Sequence, residues 1–97
     1  MSIEEAKNEL EASYAELTIG EYPIAKVEAL EAAAFALYEM EGSNKNRCLA
    51  FLFQGFIFGA HANWAQALQQ YERALLQDEV NWKVTLHMAV AYMKLED

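Results

Sequence analysis

Residues 48 to 71 form a run of 24 positions without a single Asp, Glu, Lys or Arg, although 23% of the 97-residue chain is charged. An uncharged run of this length has to be buried, either in a protein core or in a bilayer. Its most apolar part extends only from Cys48 to Ala60 and includes Gln54. This part is too short for a membrane-spanning helix, which needs about 20 predominantly apolar residues. The sequence therefore predicts a buried central helix in one domain, and no membrane span.

Charge is concentrated at the N-terminal end of the chain. Residues 1–41 carry ten acidic and two basic residues, a net charge of −8, whereas residues 42–97 carry five of each. This balance is unsuited to phosphate backbones and predicts no nucleic-acid partner. Cys48 is the only cysteine, and the start of the chain lacks the basic and then apolar pattern of a secretory signal. Both features lead us to expect a cytoplasmic location.

Capping residues divide the chain into five predicted helices. Ser2 and Glu5 form a capping box, and Gly20 is a stop signal. Asn63 and Asn81 are suitable N-caps for the last two helices. Between the turn signals, no segment shows the sustained alternation of apolar and polar residues that is typical of a half-buried strand. The sequence therefore predicts an all-α domain. The predicted helices cover residues 3 to about 20, 23–40, 46–60, 64–77 and 82–95.

The chain repeats itself at helix-hairpin spacing. One shift of the sequence against itself places Gly55 on Ala89 and Phe58 on Tyr92, and superimposes the third helix on the fifth. A slightly longer shift, which places Ala25 on Ala67, superimposes the second helix on the fourth. Self-similarity at such periods is typical of helical repeat proteins.

The repeated helix–turn–helix unit is about 34 residues long and resembles the tetratricopeptide repeat (TPR). The best match is residues 48–81, with a weaker first repeat at 6–39, a connection at 40–47 and a half repeat at 82–97. The resemblance implies a right-handed superhelix of antiparallel helix hairpins, about two and a half repeats in all. The alternative is an unrelated five-helix bundle. The residues that carry the match are Phe51, Gly55, Phe58, Ala67, Tyr71 and Ala74.

The resemblance also implies a concave groove lined by the first helix of each repeat. An apolar surface of this size would indicate a protein partner. The alternative is that the chain closes the groove by its own packing. The expected groove residues are Leu10, Tyr14, Leu17, Leu49, Leu52, Phe56, Leu86, Val90 and Met93, with Lys7, Lys83 and Lys94 on the rim.

Sequence motifs of catalysis are absent. The chain has neither a glycine-rich phosphate loop nor a nucleophile elbow. His61 and His87 are far apart in the sequence and lie on different predicted elements, which does not suit a metal site. We therefore expect no catalytic, cofactor or metal residues, and not an enzyme.

The expected function is that of a non-catalytic adaptor or chaperone whose groove holds an apolar or amphipathic helix of a protein partner. Small TPR chaperones of bacterial type III secretion are similar in size and groove character. The alternative is a self-associating scaffold, a homodimer formed through the C-terminal helix.

Overall fold

A computed structural model describes residues 2–96, and these fold into five α-helices. No strand occurs among the described residues, which confirms the all-α class. Within the same range, no helix combines the length and the apolarity that crossing a bilayer requires. The helices are α1 (Ile3–Ala15), α2 (Ile24–Met40), α3 (Asn44–Ala60), α4 (Trp64–Gln77) and α5 (Trp82–Glu96).

Side-chain caps start α1 and α4 where the sequence predicts them. The Ser2 hydroxyl accepts a hydrogen bond of 3.1 Å from the Glu5 amide, as the capping box requires. The Asn63 side chain accepts from the amide of Gln66 at the start of α4. These bonds satisfy backbone donors that a helix start leaves free.

Two boundaries differ from the sequence prediction. The first helix ends at Ala15 rather than near Gly20, because the amide of Leu17 bonds back to the Tyr14 carbonyl and tightens the last turn. Residues 16–23 then form a connection in which Gly20 has a φ of +84°, a left-handed conformation that favours glycine. The third helix starts at Asn44, so the connection is 41–43 rather than 40–47. The cause is Ser43, whose hydroxyl accepts from the Asn46 amide and caps the helix.

The helices pack mainly against their neighbours in the chain, and α3, which packs most extensively against α4 and α2, lies at the centre. The uncharged run forms most of α3 and the first half of α4. Small residues let these two helices approach closely, because a Cβ at Gly55 would overlap the buried ring of Tyr71. A Cβ at Gly59 would lie 2.9 Å from the ring of Tyr22. The predicted buried central helix is confirmed, because none of residues 48–60 is exposed.

Candidate functional site

Two of the expected groove residues, Leu52 and Phe56, belong to the core instead, and a third, Leu10, is nearly buried. Leu52 and Phe56 are 0% exposed and Leu10 is 4% exposed. The Phe56 ring has the Tyr22 ring centroid at 4.7 Å and the His87 ring centroid at 4.4 Å. The chain's own aromatic side chains therefore cover the centre of the expected groove. In this conformation Leu52 and Phe56 cannot contact a partner.

We call the group that covers this centre the aromatic cluster: Tyr14, Tyr22, Phe56, Tyr71 and His87. His87 joins three parts of the chain, because its Nε2 lies 2.9 Å from the Tyr14 hydroxyl and its Nδ1 lies 2.6 Å from the Tyr22 hydroxyl. A neutral imidazole has one donor and one acceptor nitrogen, so one hydroxyl donates and the other accepts. The cluster ties α1 and the 16–23 connection to α5.

Burial keeps the aromatic cluster uncharged. It lowers the pKa of His87 to about 4, because the imidazolium would lose its hydration. It raises the pKa of Tyr22 to about 12 and raises the pKa of Tyr71 as well. Both nitrogens of His87 are engaged by tyrosines, which leaves neither free to bind a metal.

An open cleft of about 490 Å³ lies beside the aromatic cluster, between α1, α3 and the segment that enters α5. Volumes of this order are usual for ligand sites. The structure thus brings five of the twelve expected site residues together at one surface, and these are Lys7, Leu10, Tyr14, Leu49 and Lys83. The residues that line the cleft are Lys7, Leu10, Glu11, Tyr14, Leu37, Glu41, Ser43, Lys45, Asn46, Leu49, Phe53, Asp78, Asn81 and Lys83.

The cleft has an apolar floor and a rim with charges of both signs. On one side the ammonium of Lys7 lies 3.3 Å from a carboxylate oxygen of Glu41. On the other side Lys83 lies 3.8 Å from Glu11, with its ammonium 5.4 Å from the centroid of the Tyr14 ring. These pairs are partly exposed, so they contribute little to stability and are free to exchange partners. The cleft can therefore accept apolar side chains flanked by charged ones.

The other expected groove residues lie outside the cleft. Leu17 falls in the 16–23 connection, beyond the end of α1, and is half-buried. Leu86 and Val90 are half-buried on α5. Met93 is 66% exposed, and Lys94 is exposed with its ammonium 5.9 Å from the centroid of the Trp64 ring. A single groove running along α1, α3 and α5 is not present in this structure.

Sequence reasoning missed several residues of the cleft. Asn46 and Phe53 lie on the same side of α3 as Leu49, at a spacing of three and four residues that could have revealed them. Asn46 is buried, and its side-chain amide donates a 2.8 Å hydrogen bond to the Glu41 carbonyl, which fixes one corner of the rim. Glu41 and Asp78 come from connections between helices, where no periodic pattern marks them.

Comparisons of the chain with protein families, with curated proteins and with solved structures gave no match. What the cleft can bind is therefore argued from its own side chains.

Proposed function

We propose that this chain is a non-catalytic protein-binding adaptor or chaperone whose cleft holds the apolar side chains of an amphipathic helix in a partner. The observation that carries the proposal is the apolar floor of the cleft beneath a rim of mixed charge: Tyr14 and Leu49 are partly exposed there, and the buried Leu10 and Phe53 complete the floor. An amphipathic helix presents the complementary surface, with an apolar stripe between charged flanks.

The size and charge of the cleft define the partner more narrowly. A volume of about 490 Å³ accommodates a few side chains, which corresponds to one or two turns of helix. Lys7, Lys45 and Lys83 alternate on the rim with the acidic residues Glu11, Glu41 and Asp78. A partner segment that carries both acidic and basic residues beside its apolar stripe meets this rim without like-charge contact.

The architecture in this proposal is TPR-like. Support comes from the spacing of the repeat in the sequence and from the packing of each helix against its neighbour in the chain. Glycine at position 55 receives the ring of Tyr71, a small–aromatic contact at the positions where the repeat pattern places such residues. A chaperone of bacterial type III secretion is the narrower form of the proposal, and an exported subunit as the partner would support it.

A pair of matched substitutions tests the cleft. Leu49 is half-buried on its floor, whereas Leu76 is 77% exposed on α4 and does not line the cleft. Tagged wild type, Leu49→Asp and Leu76→Asp are used to co-purify partners from the native host, after circular dichroism shows equal helicity. A peptide from the amphipathic segment of the retained partner is then titrated against each variant.

We expect wild type and Leu76→Asp to retain the same partner and to bind the peptide equally. Leu49→Asp should weaken peptide binding by ~30-fold or more, because it places an unpaired carboxylate in an apolar contact. If Leu49→Asp binds as well as wild type, the cleft is not the recognition surface.

A further inference from the structure

The sides of α4 and α5 that face away from the core differ in chemistry. The side chains that α4 exposes include Gln66, Gln69, Glu72 and Arg73. Glu96 ends the exposed stripe of α5, and the five residues before it in the stripe are uncharged: Trp82, Thr85, Ala89, Tyr92 and Met93. Their spacing places them on one side of the helix, which we call the outward face of α5.

The outward face leaves large apolar side chains in water. Trp82 is 63% exposed, Tyr92 50% and Met93 66%. A large aromatic side chain contributes ~150–250 Å² when it is buried, so the two rings alone expose on the order of 200 Å². The outward face is thus an apolar patch on the order of a few hundred Å², the scale at which exposed patches mark interaction sites.

We propose that the outward face of α5 packs against the same face of a second copy of this chain. A contact between identical surfaces brings like charges together wherever the surface is charged. Residues 1–41 hold all of the net charge of −8, and Glu4, Glu9, Glu28 and Glu39 are exposed on α1 and α2. The five residues of the outward face hold none, and an antiparallel contact keeps the two Glu96 carboxylates at its opposite ends, so two copies can meet there without repulsion.

An antiparallel arrangement centred on Ala89 fits the residues best. The small side chain of Ala89 lets the two helices approach closely at the crossing point. Thr85 of each copy then lies opposite Met93 of the other. Glu96 lies opposite Trp82, the first residue of the other copy's α5, where the partial positive charge of a helix start favours a carboxylate.

This inference is independent of the proposed function, because none of the five residues lines the cleft. A chain with a blocked outward face can still bind a partner in the cleft, and the reverse also holds. The two proposals therefore fail separately.

Symmetric cross-linking tests the contact directly. Ala89→Cys places a thiol on the outward face, and Ala32→Cys places a matched thiol at an exposed position of α2. The native Cys48 does not compete, because it is buried and burial raises the pKa of its thiol to about 11. Under mild oxidation we expect a disulfide-linked dimer from Ala89→Cys and none from Ala32→Cys, since a disulfide needs Cα atoms within about 7 Å.

Mass measurements at increasing concentration provide the second test. Wild type should reach about 22 kDa, twice the 11.0 kDa of one chain. Ala89→Arg should raise the dimer dissociation constant by ~30-fold or more, and Ala32→Arg should leave it unchanged. Circular dichroism checks that both variants remain folded. A wild type that stays monomeric up to ~1 mM, or a dimer that Ala89→Arg leaves intact, overturns the proposal.

Discussion

The aromatic cluster and the outward face of α5 contain similar residues, but the chain covers only the first. Phe56 and Tyr71 are 0% exposed, whereas Trp82 and Tyr92 are at least half exposed. The difference comes from position rather than composition. The cluster lies where α1, α3, α4 and α5 contribute side chains to one place, while the outward face is a side of α5 that none of the described helices covers. Aromatic content therefore does not indicate where a partner binds, and the packing around it has to be known.

The largest expected effect is the loss of the Phe56 ring. Phe56→Ala should lower the free energy of unfolding by about 3–5 kcal/mol, because it removes a fully buried ring and leaves a cavity among tightly packed neighbours. Chemical denaturation monitored by circular dichroism measures the change. A loss below about 1 kcal/mol would show that Phe56 is not part of a closed core. The contrast between a closed aromatic cluster and an exposed outward face would then be wrong.

The second effect is a loss of stability in acid that comes from His87. The pKa of His87 is lowered to about 4 in the folded chain, against 6.5 for the free side chain, so the unfolded chain binds this proton more readily. On the order of 3 kcal/mol of the free energy of unfolding therefore depends on His87 being neutral. This stability is fully present above pH 6.5 and is lost as the pH falls from 6.5 to 4. Unfolding free energies measured across this range should fall more steeply for wild type than for His87→Gln.

The His87→Gln variant is the control because both proteins share the same exposed carboxylates. Their common titration cancels in the difference between the two slopes. Parallel slopes would mean that His87 is not held neutral by the aromatic cluster.

The smallest effect concerns the outward face itself. Met93→Gln should change the unfolding free energy by less than about 0.5 kcal/mol in dilute solution, since Met93 is 66% exposed and the two residues have similar helix propensity. Denaturation at low and at high protein concentration makes the comparison sharper. Wild type should gain stability with concentration by mass action, and Met93→Gln should gain less. If both proteins gain the same stability with concentration, Met93 is not part of the contact between the two copies.

Local patterns predicted the all-α class and several helix starts because they reflect local physics. The uncharged run of residues 48–71 identified the buried centre, and Ser2 and Asn63 marked helix starts through bonds to amides three residues away. The end of α1 was harder to place. Backbone hydrogen bonds from the start of the 16–23 connection tighten the last turn of α1 at Ala15. Such bonds leave no periodic pattern in the sequence.

The candidate site was predicted only in part, because helical spacing shows which residues share a face but not what covers it. Leu49 and Phe56 were assigned to one stripe of α3, yet Leu49 lines the cleft and Phe56 is buried. The cover over Phe56 comes from Tyr22 and His87, which are 65 residues apart in the chain. A contact at such a separation has no signature in a single sequence.

The central claim is that the chain has two apolar regions, one closed by its own packing and one that we propose is closed by a second copy. Hydroxyl-radical footprinting of wild type, read by mass spectrometry in dilute and in concentrated solution, measures both regions together. The account predicts that Phe56 and Tyr71 are protected at every concentration, and that Trp82, Tyr92 and Met93 are oxidised when dilute and protected when concentrated. Rapid oxidation of Phe56 in the folded chain, or oxidation of Trp82 and Met93 that does not change with concentration, would contradict it.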